Sequence, residues 1–108
     1  MMKWNITYYS ESVANAILAW PKKIKAKYLF IIQLMEEHGP NLGKPYTDAL
    51  GDGLFEIRAK GQEGIGRAFF GLRIGKEIIV LHEFIKKTQK TPKNELDIAR
   101  KRLHEVIK

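Results

Sequence analysis

Nine residues near the end of the chain, EIIVLHEFI at 77–85, constrain the fold most. A run this apolar has no polar face to turn toward water. At strand length it belongs inside a sheet, buried on both sides. It therefore needs partner strands beside it and cover above and below. GRAFFGLRI (66–74) leads into it through Ile74-Gly75-Lys76-Glu77, a short hairpin with glycine in its centre. That strand places Arg67, Phe69, Gly71 and Arg73 on one face and Ala68, Phe70, Leu72 and Ile74 on the other. LFEIRAK (54–60) alternates Leu54, Glu56, Arg58 and Lys60 against Phe55, Ile57 and Ala59, and GQEG (61–64) is the turn after it. KWNITYY (3–9) alternates Trp4, Ile6 and Tyr8 against Lys3, Asn5 and Thr7, which predicts a first strand.

The cover comes from helices. Ser10 is placed to cap one, with Glu11 in its first turn and Val13, Ile17 and Trp20 on its buried face. Pro21 ends it and suits the first turn of a second helix, in which Ile24, Tyr28, Ile31, Ile32 and Met35 recur at helical spacing. His38-Gly39-Pro40 is the stop. So short a joint between the two helices predicts an antiparallel helical hairpin. Residues 39–53, with four glycines and two prolines, read as a loop. Thr91 caps a last helix with Pro92 at its first position and Leu96, Ala99, Leu103 and Val106 as its apolar stripe. The expected order is β-α-α-β-β-β-α in one domain, 1–108, of the α+β class: a helical hairpin on a small, mainly antiparallel sheet, then a C-terminal helix.

Charge is the next informative property. The formal net charge is +7, with a sequence pI near 9.7. The excess is uneven: residues 84–108 carry 8 basic and 3 acidic side chains, against 6 and 5 in residues 1–53. A concentrated basic surface points to a polyanion, whether RNA, DNA or an acidic protein; solvated surface lysines are the other reading. There is no cysteine, hence no disulfide or thiolate metal site, which fits a cytoplasmic protein. His38, His82 and His104 are too widely spaced to form a metal-ligand pattern. No signal peptide or membrane span is read from the sequence.

Lys86, Lys87, Lys90 and Lys93 follow the apolar strand with no acid between them and run into the last helix. A cation at a helix start is disfavoured by some tenths of a kcal/mol. Stability does not explain the placement, whereas binding an anion at the helix start does. Arg58, Arg67 and Arg73 are the second basic group. Hairpin pairing can bring Arg58 and Arg67 onto one face, where they bind phosphate or pair with an acid such as Glu56. His82 reads as a buried, hydrogen-bonded histidine. No phosphate-loop motif, catalytic triad or carboxylate pair stands out.

GDGLFEIRAK (51–60), GRAFFGL (66–72) and LHEFIKKTQKTPKNELDIARKRL (81–103) resemble the HigB-like, phage-related branch of the RelE/ParE toxin superfamily. The block from Phe84 to Pro92, F-x-K-K-T-x-K-T-P, is the most specific piece. The resemblance implies the toxin of a type II toxin–antitoxin system. It implies a ribosome-dependent mRNA endonuclease (an mRNA interferase) that inhibits translation, without metal or cofactor, by attack of the ribose 2′-OH on the adjacent phosphate. A helix-turn-helix antitoxin, the ribosome and mRNA are the implied partners. Arg67 is similar to the strand arginine that contacts the scissile phosphate. Lys86 and Lys87 match the basic stretch after the last strand, and Arg58 the arginine of the second strand, so these four are the catalytic candidates. Lys90, Lys93, Arg73 and Arg100 are the candidates for RNA and ribosome contact. The tyrosine or C-terminal histidine of relatives has no counterpart in PKNELDIAR, leaving Lys86, Lys87 and His82 as candidate bases. The superfamily also includes ParE-like inhibitors of DNA gyrase that cleave no RNA, and an inactive remnant that only binds is a third possibility.

Overall fold

The computed structural model describes residues 3–86 and 92–107. The elements are β1 (Asn5–Tyr8), α1 (Glu11–Leu18), α2 (Lys22–His38), β2 (Thr47–Gly51), β3 (Leu54–Gly61), β4 (Gly64–Arg73), β5 (Glu77–Lys86) and α3 (Lys93–Val106). They build one sheet in the order β1-β5-β4-β3-β2. β1 runs parallel to β5, and every other pair is antiparallel. The apolar strand β5 is interior, as its composition requires, because β1 closes the edge that β4 leaves open.

Each face of the sheet has its own core. Val13, Ile17 and Trp20 from the α1 end, and Ile24, Tyr28, Ile31, Ile32 and Met35 from α2, pack on Ile57, Ala59, Ala68, Phe70, Ile78 and Val80. On the opposite face Ala99 and Leu103 of α3 pack on Leu54, Phe69, Ile79, Leu81 and Phe84. The short joint between α1 and α2 is as expected, and both helices lie against the sheet, α1 on β5 and β1, α2 chiefly on β3. Ser10 Oγ accepts from the Val13 N–H at 3.2 Å, supplying the cap. Pro21 and Pro92 stand just before their helices rather than in the first turn, and the cap expected at Thr91 lies outside the described residues. Gly39, at φ +91°, ends α2 in a conformation that side chains rarely adopt.

Two departures matter. The loop expected over 39–53 contains strand β2, so the order is β-α-α-β-β-β-β-α. Alternation is hard to see in five residues hemmed in by glycine and proline, and tertiary partners hold the strand instead. The Gly43 N–H donates to Thr47 Oγ1 at 2.9 Å, and Arg100 donates to the Leu50 carbonyl at 3.1 Å and the Gly51 carbonyl at 3.3 Å. The second departure is a β-bulge. Phe69 pairs with His82 but Phe70 pairs with Val80, leaving Leu81 as an extra residue in β5. From there on every side chain of β5 swaps faces. Glu83 turns toward α1, where Trp20 Nε1 donates to its Oε1 at 2.7 Å. Phe84 and Lys86 turn to the face that carries Arg67.

Gly66 lies directly under Trp20 and Ile24. A Cβ there would lie 2.6 Å from the Trp20 ring and 2.7 Å from Ile24. The Trp20 ring is buried and held to Glu83 by its Nε1 hydrogen bond, so moving it costs that contact. Gly66→Ala should therefore cost about 1–3 kcal/mol of unfolding free energy, read from the midpoint of a urea titration. An unchanged midpoint would mean that the helices can move off the sheet freely.

Candidate functional site

The candidate site grows from the register of three strands. Arg58 and Arg67 are directly opposite across β3 and β4, and Arg67 is opposite Phe84 in β5. One step toward the β3–β4 turn the row is Lys60, Ile65 and Lys86. One step the other way it is Glu56, Phe69 and His82. Besides the exposed Lys60, four charged side chains thus share one end of one face: Glu56, Arg58, Arg67 and Lys86.

All four are at least half-buried. Glu56 is 2% exposed, Arg67 7% and Lys86 8%. Arg67 Nη1 donates to both Glu56 oxygens, at 2.5 and 2.9 Å. Arg58 Nε stands 4.0 Å from the same carboxylate, beyond hydrogen-bond length. Among the described residues, Arg58 Nε and Arg67 Nε are buried without a hydrogen-bond partner. One carboxylate thus stands among three basic side chains and pairs with one of them, Arg67. Asp48 of β2 is opposite Glu56 in register and is half-buried.

Lys86 feels this directly. Burial, first, and then the Arg67 charge hold its pKa below the ordinary lysine range; Glu56 acts the other way, and Arg58 adds to the lowering. A buried cation beside two guanidiniums is costly to keep protonated. Such a group is suited to receive an anion or to give up its proton.

The structure sorts the expected site residues. Arg58, Arg67 and Lys86 come together. Arg73 lies six residues along β4 from Arg67, about 20 Å at strand rise, and pairs with Glu77 at 3.6 Å. Arg100 clamps β2 through the two carbonyls already named. Lys93 is exposed at the start of α3. Lys87 and Lys90 lie outside the described residues. His82 is 15% exposed in its side chain, stacks on Phe69 and shares a 2.7 Å hydrogen bond with Glu95 Oε1, which ties β5 to the first turn of α3. That is the structural role expected of it. Glu56 is the residue whose importance the sequence understates. Its signal is an acid on the same stripe as Leu54, two positions before Arg58 and facing a buried strand.

The model of a family described as Phage derived protein Gp49-like matches residues 15–104. No curated protein matches the sequence. Among solved structures, the fold is similar to that of the archaeal RelE-RelB complex from Pyrococcus horikoshii OT3. The TM-score is 0.59 at 19% identity, over 80% of this chain and 98% of that one.

The lowered pKa of Lys86 has a testable sign. The folded protein releases this proton at a lower pH than the unfolded chain does. Between those two pH values the unfolded chain binds more protons, so stability rises with pH; below both, the penalty is present in full. Lys86→Met should therefore stabilise the protein at pH 7, and the gain should shrink as pH approaches about 10. Urea titrations of both proteins at pH 7 and pH 10 check it. An equal gain at both values would show that the ammonium is not strained.

Proposed function

The chain belongs to the phage-derived Gp49-like family and has a RelE-like fold, and from that premise we propose that it is the toxin of a type II toxin–antitoxin system, of the HigB-like kind. Its proposed activity is ribosome-dependent cleavage of mRNA. One observation carries the reading: Arg58, Arg67 and Lys86 gather at one end of a sheet face where Glu56 pairs with Arg67, immediately before the lysine-rich segment that leads to α3. Such a cluster has more positive charge than its own acid neutralises, and RNA phosphate supplies the balance.

In the proposed reaction the ribose 2′-OH attacks the adjacent phosphorus. The new P–O2′ bond forms as the P–O5′ bond breaks, leaving a 2′,3′-cyclic phosphate, and the departing 5′ oxygen takes a proton from solvent water to become a free 5′-OH. Negative charge accumulates on the phosphoryl oxygens in the transition state. Fixed cations in a poorly hydrated place stabilise it more than water would. Glu56 holds Nη1 of the Arg67 guanidinium, so that Arg67 is oriented before substrate arrives. Lys86, with its pKa held down, takes the 2′-OH proton. Lys87, Lys90 and Lys93 contribute contacts to mRNA or ribosomal RNA. An antitoxin that presents acids to this face would neutralise it; the solved RelE of similar fold is held in a complex with RelB.

The burial of Arg67 against Glu56 favours a second reading. There the pair supports the sheet, and the protein inhibits DNA gyrase as ParE-like members do.

Induced expression in a bacterium, with primer extension on a known message and a parallel supercoiling assay, separates the two. Cuts inside translated codons, lost when initiation is blocked, are expected. Intact messages with inhibited supercoiling would move the protein to the gyrase reading. Lys86→Met should reduce cleavage by about 100-fold or more in a protein that melts no lower than wild type. Lys86→Arg keeps the cation but cannot release its proton. Cleavage by Lys86→Arg at the wild-type rate would remove Lys86 as the base and leave it as an anion contact.

A further inference from the structure

β3 extends past the end of β2. Thr47 is opposite Ile57, the Arg58 N–H still donates to the Tyr46 carbonyl at 2.8 Å, and beyond that point Lys60 has no partner in β2. In the angle so formed, Lys27 of α2, Pro45, Tyr46, Arg58 and Lys60 line a pocket of about 260 Å³. No acid is among these lining residues. The Tyr46 ring meets Phe30 edge to face, with centroids 6.0 Å apart. Lys27 Nζ lies 5.6 Å from the Phe30 centroid and 6.0 Å from that of Tyr46. Phe30 is 44% exposed, so core packing does not account for it.

Exposed aromatic rings interleaved with cations are how proteins hold single strands: the rings stack on bases and the cations follow the phosphates. We infer that this pocket receives one unpaired base of a single-stranded RNA, stacked on Tyr46, with the flanking phosphates on Lys27, Lys60 and Arg58. The inference deepens the proposed nuclease reading. Arg58 belongs to both the pocket and the charged cluster, so a phosphate at the cluster and a base in the pocket lie on one strand, at neighbouring nucleotides. A duplex would keep its base faces stacked and unavailable. An acidic peptide would satisfy the three cations but leave the half-buried Tyr46 ring and the exposed Phe30 ring beside it unused.

The test is fluorescence anisotropy of the full chain with a short labelled single-stranded RNA, 2′-O-methylated so that it is not cleaved. Tyr46→Leu should weaken binding by about tenfold with the salt dependence unchanged, and Tyr46→Trp should restore it. Lys60→Gln should flatten the salt dependence by about 0.7 in log–log slope, one phosphate contact. An abasic version of the strand should lose affinity for wild type but no further affinity for Tyr46→Leu. That comparison isolates stacking even if Tyr46→Leu loosens the packing with Phe30. Wild-type affinity in Tyr46→Leu, equal binding of the abasic and intact strands, or binding of polyglutamate and not RNA would each overturn the inference. Tyr46-dependent binding together with uncut messages in cells would remove the nuclease and keep the pocket. Cut messages with binding indifferent to Tyr46 would do the opposite.

Discussion

A single extra residue, Leu81, decides what the charged end of the sheet contains. Strand side chains alternate, so one inserted residue moves everything after it to the other face. Without the bulge, Lys86 and Phe84 would point toward α1 and α2, into the core that contains Trp20 and Ile24. Glu83 and Ile85 would then face Arg67. With it, Ile85 packs on the large core, Glu83 is satisfied by Trp20 Nε1, and Lys86 joins Arg58 and Arg67. The bulge thus lets one strand serve two purposes: its first half buries apolar side chains on both faces, and its second half delivers a lysine to a cluster.

The cluster is poor material for stability. Removing a carboxylate and guanidinium from water costs several kcal/mol per ion, which their attraction returns only with good geometry. Arg67 meets both Glu56 oxygens through one nitrogen, Nη1, while its Nε stays unpaired; Arg58 and Lys86 have no such contact among the described residues. The gain is orientation. Arg67 is held by Glu56 and by the flanking strands, and little entropy is left to lose when an anion arrives. Long interior strands suit this role. β3, β4 and β5 have 8, 10 and 10 residues, against 4 and 5 for the edge strands β1 and β2. The charged residues therefore sit on rigid backbone rather than on loops.

Much of this was legible in the residues. The helical stripes of α1 and α2, the glycine stop at Gly39, and the opposition of Arg58 and Arg67 all follow from periodicity and a hairpin. β2 did not, because five residues cannot establish alternation and its supports, Arg100 and Gly43, are distant or featureless in sequence. The bulge was equally invisible. In IIVLHEFI, residues 78–85, nearly every position is apolar, so the pattern gives no phase, and a slipped phase cannot be detected. Lys86 was suspected on family resemblance and local charge, not on its facing, which alternation alone would have put on the wrong side.

The same geometry explains why Arg73 and Arg100 stand apart from Arg58, Arg67 and Lys86. Arg73 shares a face with Arg67 by parity, yet a sheet face is long, and six residues of strand carry it toward the Gly75 hairpin. Arg100 belongs to a helix whose first turn is fixed to β5 by Glu95 and His82, and that anchor directs it to the carbonyls of β2. Parity says which side of a sheet a charge occupies; register and bulges say whether it meets another charge. Among the described candidates, Arg58, Arg67 and Lys86 satisfy both conditions, and Glu56, paired with Arg67, stands beside them at the same end of the face.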